Sequence, residues 1–222
     1  MKIEARFVRS AAAAADLPRD GLPELALVGR SNVGKSTLIN ALVRQRLART
    51  SAAPGKTRLA NIYRVARGAA PPFHLVDLPG YGFARGGSDD LLQVVNGYFN
   101  ARGHGAARTH ASALLIVDSR HPGMESDRQA WAWLNSTLER VAIVATKIDK
   151  LSRAERLRAT AANEAVFEHA VLPVSADTGE GLEELWKLID RLLNSSDPRL
   201  PRNPPRSQTA AGGRRQRRLP KN

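Results

Sequence analysis

The sequence contains no cysteine. Disulfides, thiolate zinc sites and cysteine nucleophiles are therefore excluded, and the composition fits a reducing cytosol. No apolar run approaches the ~20 residues needed to span a bilayer, so membrane insertion is not expected. The start, MKIEARFVRSAAAAADLP, makes a poor signal peptide. Glu4 interrupts the charged beginning, Arg9 cuts the apolar stretch, and five alanines form a feeble hydrophobic segment. It reads as a cytoplasmic N-terminus with a short helix ending before Pro18. Acidic residues are missing from Pro198 to Asn222, where eight basic residues occur. The prolines, glycines and arginines there cannot build a core, so residues 196–222 are expected to be a disordered tail. Such a tail is either a solvated end that keeps the chain in solution or a polyanion-binding arm, because clustered arginines gain affinity by releasing counterions from phosphate backbones; an anionic membrane surface is the rival ligand, but no adjacent apolar anchor supports it.

The rest is enough for one medium domain: 222 residues in all, 42% hydrophobic. The net charge of +13 falls to +5 over residues 1–197, which carry 26 basic and 21 acidic residues. Short branched runs, 25–29, 73–77, 113–118, 141–146 and 170–175, suit strands buried on both faces. Pro173 places the last at a sheet edge. The stretch 59–66 alternates and is expected to pair antiparallel with 73–77. Helical patterns fill the gaps. Leu182, Leu185, Trp186, Ile189, Leu192 and Leu193 share one face, as do Trp131, Leu134 and Leu138, and both tryptophans read as core. The expected fold is α/β: a mainly parallel six-stranded sheet with helices on both faces. Residues 1–21 would be an N-terminal extension and 22–195 the folded domain.

GRSNVGKS, residues 29–36, lies between a strand pattern and a helix pattern and matches G-x-x-x-x-G-K-[ST]. Gly29 and Gly34 permit the turn that aims N–H groups at phosphate oxygens. Lys35 offers a cation to the outer phosphates and Ser36 a hydroxyl to Mg²⁺. DLPG, residues 77–80, follows a strand; Asp77 can hold a Mg²⁺-bound water and the Gly80 N–H can meet a γ-phosphate. Thr57, between the two, is placed by order to complete the Mg²⁺ shell. TKID, residues 146–149, ends another strand. Asp149 can accept from guanine N1–H and the 2-amino group, which adenine lacks. The stem of Lys147 can cover the base, while Ser175 and Ala176 in VSAD can brace Asp149 and meet the guanine oxygen. Residue 81, a tyrosine, has no amide to orient water as glutamine does in Ras-like switches, so intrinsic hydrolysis should be slow. Asn32 could place a carbonyl on K⁺ beside the phosphates, or could brace the loop.

With GRSNVGKSTLIN, PGKTR, DLPGYGFA, DSRHP, TKIDK and VSA in this order, the chain resembles the EngB (YihA) family of bacterial GTPases over residues 5–195. The resemblance implies a TRAFAC-class GTPase with Mg²⁺, a role in large ribosomal subunit assembly through rRNA, and a requirement in cell division and septation. It also implies nucleotide contacts by Gly29, Arg30, Ser31, Asn32, Val33, Gly34, Lys35 and Ser36, by Gly55, Lys56, Thr57, Arg58 and Leu59, and by Asp77, Leu78, Pro79 and Gly80. Around the guanine it implies Thr146, Lys147, Ile148, Asp149, Val174, Ser175 and Ala176. Ser36, Thr57 and Asp77 would hold the metal; Lys35, Thr57, Gly80 and Asn32 are the catalytic candidates. A monomer is expected. Two readings stay open: a GTP-hydrolysing assembly switch, or an RNA-binding module using GTP as a structural ligand.

Overall fold

A computed structural model describes residues 2–48, 59–81, 95, 97–99 and 111–194. The described elements run β1 (Ile3–Ala11), β2 (Glu24–Gly29), α1 (Lys35–Val43), β3 (Ala60–Arg67), β4 (Phe73–Asp77), β5 (Ala111–Asp118), α2 (Glu125–Thr137), β6 (Val141–Thr146), α3 (Arg153–Phe167), β7 (Val171–Pro173) and α4 (Leu182–Leu193). Seven strands form one sheet in the order β1-β3-β4-β2-β5-β6-β7. The pairs from β4 through β2, β5 and β6 to β7 are parallel. The pairs β1–β3 and β3–β4 are antiparallel. The mainly parallel architecture matches the expectation, but the count is seven strands rather than six.

The additional strand is the N-terminus. Residues 3–11 pair with β3 from Ile3↔Arg67 to Ala11↔Ala60, with a bulge between Phe7 and Arg9. Helix is confined to a 3-10 turn, Ala14–Asp16, whose Asp16 carboxylate accepts from the Ala12 and Ala13 N–H groups. The physical reason is local alternation. Ile3 and Ala5 face the core while Glu4 and Arg6 face away, a period of two that a helix cannot present.

The central strands are apolar on both sides because both sides are covered. Leu25, Leu27, Leu114, Ile116 and Val144 pack against α1 and against Leu185, Trp186, Ile189 and Leu192 of α4. Ala26, Val28, Leu115, Val117, Ile143 and Ala145 pack against Trp131 and Leu134 of α2, Phe167 of α3, and Tyr98 and Phe99. Leu185 and Ile189 have no exposed surface, and burying each contributes about 1.5–3 kcal/mol. Arg67 lies over the Trp186 ring at 4.7 Å and pairs with Asp190, tying β3 to α4. Ser152 and Glu155 cap the start of α3 reciprocally. Every parallel strand ends on the same side of the sheet, and the loops leaving β2, β4, β5, β6 and β7 gather there.

Candidate functional site

Residues 29–36 leave β2 and enter α1 directly. Gly29 can carry no side chain, since a Cβ there would lie 2.6 Å from the Ile116 carbonyl of β5. Asn32 and Gly34 adopt left-handed φ values of 62° and 107°, turning the loop so that α1 begins at Lys35 with its N-terminal N–H groups facing the loop. Asparagine tolerates that conformation better than most residues. Lys35 is folded over the loop, its Nζ donating to the carbonyls of Gly29 at 2.9 Å and Arg30 at 3.3 Å. Burial pushes its pKa down, opposed by nearby Asp77.

β4 brings Asp77 to the same place. Ser36 Oγ donates to Asp77 Oδ2 at 3.2 Å, while Oδ1 is buried without a hydrogen-bond partner among the described residues. Burial pushes this carboxyl up, with Lys35 and the Ser36 hydroxyl pulling the other way. A hydroxyl and a buried carboxylate with a spare oxygen form a hard-oxygen donor set that fits Mg²⁺. Leu78 is fully buried, and its N–H donates to the Leu27 carbonyl. At Gly80 a Cβ would sit 2.7 Å from the Ser31 nitrogen, so the segment presses directly on the phosphate loop. Leu59 is 39% exposed. The expected contacts at Gly55, Lys56, Thr57 and Arg58 lie outside the described residues, as does the tail.

β6 and β7 supply the other half. Thr146 Oγ1 donates to the Val33 and Val117 carbonyls at 2.7 and 3.1 Å, linking the end of β6 to the phosphate loop. Lys147, at φ 64°, reaches across to the Asn32 carbonyl at 2.6 Å and Asp118 Oδ2 at 2.8 Å. Ile148 is buried, and its N–H donates to the Val174 carbonyl. Ser175, fully buried, donates through Oγ to Asp149 Oδ1 at 2.7 Å and accepts from the Thr178 N–H at 3.1 Å. Lys150, half exposed, meets Asp149 Oδ2 at 2.8 Å and Asp177 at 3.1 Å. The Lys150 and Ser175 hydrogen bonds keep the Asp149 carboxyl below its ordinary range, outweighing desolvation. Asp149 thus stays ionised and fixed, ready to accept from a base bearing two adjacent donors.

Two groups of functional interest carried no sequence signal of their own. Asp118 ends β5 and accepts from Arg120 through both oxygens, at 2.9 and 2.8 Å, as well as from Lys147. Desolvation would raise its pKa, but these donors hold it well below the carboxylate range. Tyr81 hydroxyl donates to Asp127 Oδ1 at 2.9 Å, and Arg30 Nε donates to the same carboxylate at 3.1 and 3.3 Å. Asp118 lies in the family-like stretch DSRHP, which gave the only hint. Asp127, an acid in the first turn of a helix, looks ordinary from sequence.

A glycine-hinged loop that opens a helix at Lys35, with an anchored carboxylate at the end of β6, defines the class: this is a P-loop GTPase. A family model described as 50S ribosome-binding GTPase matches residues 24–147. The probable GTP-binding protein EngB of Pelotomaculum thermopropionicum is 41% identical over 205 residues, covering 88% of this chain and 99% of the relative. That of Desulforamulus reducens is 38% identical over 200 residues, covering 86% and 94%. A solved structure of a probable GTP-binding protein engB shares the fold, with TM-score 0.58, 22% identity, and coverage of 77% of this chain and 98% of that one. Era, solved with MgGDPNP and a segment of 16S ribosomal RNA, shares it at TM-score 0.65 and 23% identity, over 81% of this chain and 59% of that one. The chain belongs to the EngB family of GTP-binding proteins. Among the described residues, no helix is long and apolar enough to cross a membrane.

Proposed function

We propose that this GTPase is a nucleotide-controlled switch in assembly of the large ribosomal subunit, and that normal division and septation depend on it. The observation that carries the reading is membership of a family whose matching model is described as 50S ribosome-binding. In this reading Gly29, Arg30, Ser31, Asn32, Val33 and Gly34 direct backbone N–H groups at the phosphates, and Lys35 neutralises their outer oxygens. The burial that lowers the Lys35 pKa is offset once phosphate arrives, since an adjacent anion favours the ammonium form. Gly80 offers its N–H to the terminal phosphate, and Gly55, Lys56, Thr57, Arg58 and Leu59 are the further nucleotide contacts of this reading. Asp149, braced by Ser175, accepts from guanine, with Thr146, Lys147, Ile148, Val174 and Ala176 completing the pocket.

Ser36, Thr57 and Asp77 would hold Mg²⁺, which would supply positive charge against the phosphates. Tyr81 hydroxyl is engaged with Asp127 and carries no amide, so residue 81 does not orient water as glutamine would. Intrinsic hydrolysis is accordingly slow, and the missing charge would be supplied by K⁺ held near Asn32 or by the partner. The cytoplasmic monomer docks to rRNA, with the basic tail adding salt-sensitive affinity. The test is steady-state GTP hydrolysis with and without purified large subunits. Stimulation of tenfold or more supports a switch; no stimulation by mature or precursor particles favours GTP as a structural ligand and contradicts this reading.

A further inference from the structure

Two side chains far apart in sequence converge on one buried carboxylate. Asp127, in the first turn of α2, is 1% exposed. It accepts from Arg30, 97 residues away, and from Tyr81, 46 residues away. The same two residues are joined through their backbones. Arg30 and Tyr81 form an isolated parallel bridge, and the Ser31 N–H donates to the Tyr81 carbonyl at 3.0 Å. Ser31 Oγ adds a bond to the Gly80 carbonyl at 3.3 Å. The start of α2 is itself anchored, because the Gly123 N–H donates to Asn163 Oδ1 of α3 at 3.3 Å, and Asn163 is buried.

A buried carboxylate is a costly way to fill space, and apolar residues of similar size often stabilise a core more. What it provides here is geometry. Arg30 belongs to the phosphate loop, and Tyr81 directly follows the glycine that presses on that loop. One carboxylate fixes both, and it stands on a helix whose start is tied to α3.

We propose that Asp127 is a positioning residue that holds Tyr81 and Arg30 and thereby sets the Gly80 backbone in register with the phosphate loop, so that the enzyme discriminates GTP from GDP. The proposal rests on the assignment of Gly80 to the terminal phosphate. GDP lacks that phosphate, so loosening the network lowers affinity for GTP and spares GDP. A merely structural role would lower both together.

The experiment uses the full chain and measures affinity for GDP and for a non-hydrolysable GTP analogue. The variants are Tyr81→Phe, Asp127→Asn, Asp127→Ala and, as reference, Gly80→Ala. Tyr81→Phe removes one hydroxyl and leaves the Arg30–Asp127 pair. It should shift the analogue-to-GDP affinity ratio towards GDP by about threefold to tenfold, a part of the roughly tenfold to hundredfold that one hydrogen bond to a charged group carries, because the hydroxyl acts on the phosphate only through Gly80. Asp127→Asn, which keeps an acceptor oxygen, should shift it less than Asp127→Ala. If Asp127→Ala does not fold, the comparison of Tyr81→Phe with Asp127→Asn decides. If Gly80→Ala shifts the ratio and Tyr81→Phe changes neither affinity or both alike, the positioning role is overturned while the phosphate assignment stands. If Gly80→Ala leaves the ratio unchanged, the assignment falls, and the proposal with it.

Discussion

Replacing Asp149 with asparagine tests the base reader at its chemical centre. The native carboxylate stays ionised and is held by Ser175 Oγ at 2.7 Å, so both oxygens have lone pairs directed by a fixed side chain. Asp149→Asn keeps one oxygen and turns the other into a donor facing a guanine donor. At least one charge-assisted hydrogen bond disappears, about 1.5–3 kcal/mol, which is about tenfold to a hundredfold in affinity. The fold should survive. The partner given up at Oδ2 is Lys150, itself half exposed, and such surface pairs contribute little. Xanthosine triphosphate presents a 2-oxo group where guanine presents an amine, so its affinity should rise. Competitive titration with GTP, xanthosine triphosphate and ATP reads all three. A variant that loses less than about threefold for GTP and gains nothing for the xanthosine nucleotide would rule out Asp149 as the base reader. Equal native affinity for ATP and GTP would do the same.

Asp118, whose folded pKa is depressed by Arg120 and Lys147, stabilises the fold above the ordinary carboxylate range and loses that contribution as pH falls through its folded pKa. Acid unfolding of Asp118→Asn should therefore show a shallower loss of stability below pH ~4 than the native chain; parallel curves would remove Asp118 from the acid response. GTP hydrolysis should run faster in K⁺ than in Na⁺ at fixed ionic strength, and Asn32→Ala should abolish the difference while nucleotide binding persists; indifference to K⁺ even with ribosomal particles would eliminate the cation role. Removing residues 198–222 should weaken RNA binding and reduce the salt slope by about 0.7–0.9 for each phosphate the tail neutralises. An unchanged slope would make the tail a bystander.

Much of the sheet was legible because its strands are of one kind. The runs at 73–77 and 141–146 coincide with β4 and β6, and those at 25–29 and 113–118 fall within β2 and β5. A strand covered on both faces must be continuously apolar, and few other elements of that length are. Pro173 correctly marked an edge, since β7 is the last strand in the order. β1 was not legible as a strand. Its alternation is present, but Phe7 remains 50% exposed and the alanines that follow suit a helix equally well. Its stability comes from pairing with β3, a partner too distant in sequence for any local window to contain.

The site divides along the same line. Gly29–Ser36, Asp77–Gly80, Thr146–Asp149 and Val174–Ala176 could be found because each loop's chemistry is written in consecutive residues. The structure brings these four stretches to one end of the sheet. It also joins them in ways that spacing cannot encode: Thr146 on Val33, Lys147 on Asn32, and Gly80 on Ser31. Asp127 was invisible for the same reason. Its partners come from two other loops, and its own neighbours in sequence describe an ordinary helix start.

Whether the ribosome reads this switch is decided by sedimentation of the full chain with purified large subunits, once in GDP and once in a non-hydrolysable GTP analogue, at matched salt. A nucleotide-controlled switch co-sediments with the subunits in the analogue and is substantially released in GDP. Equal retention in both states, or none in either with mature and precursor particles alike, would contradict it.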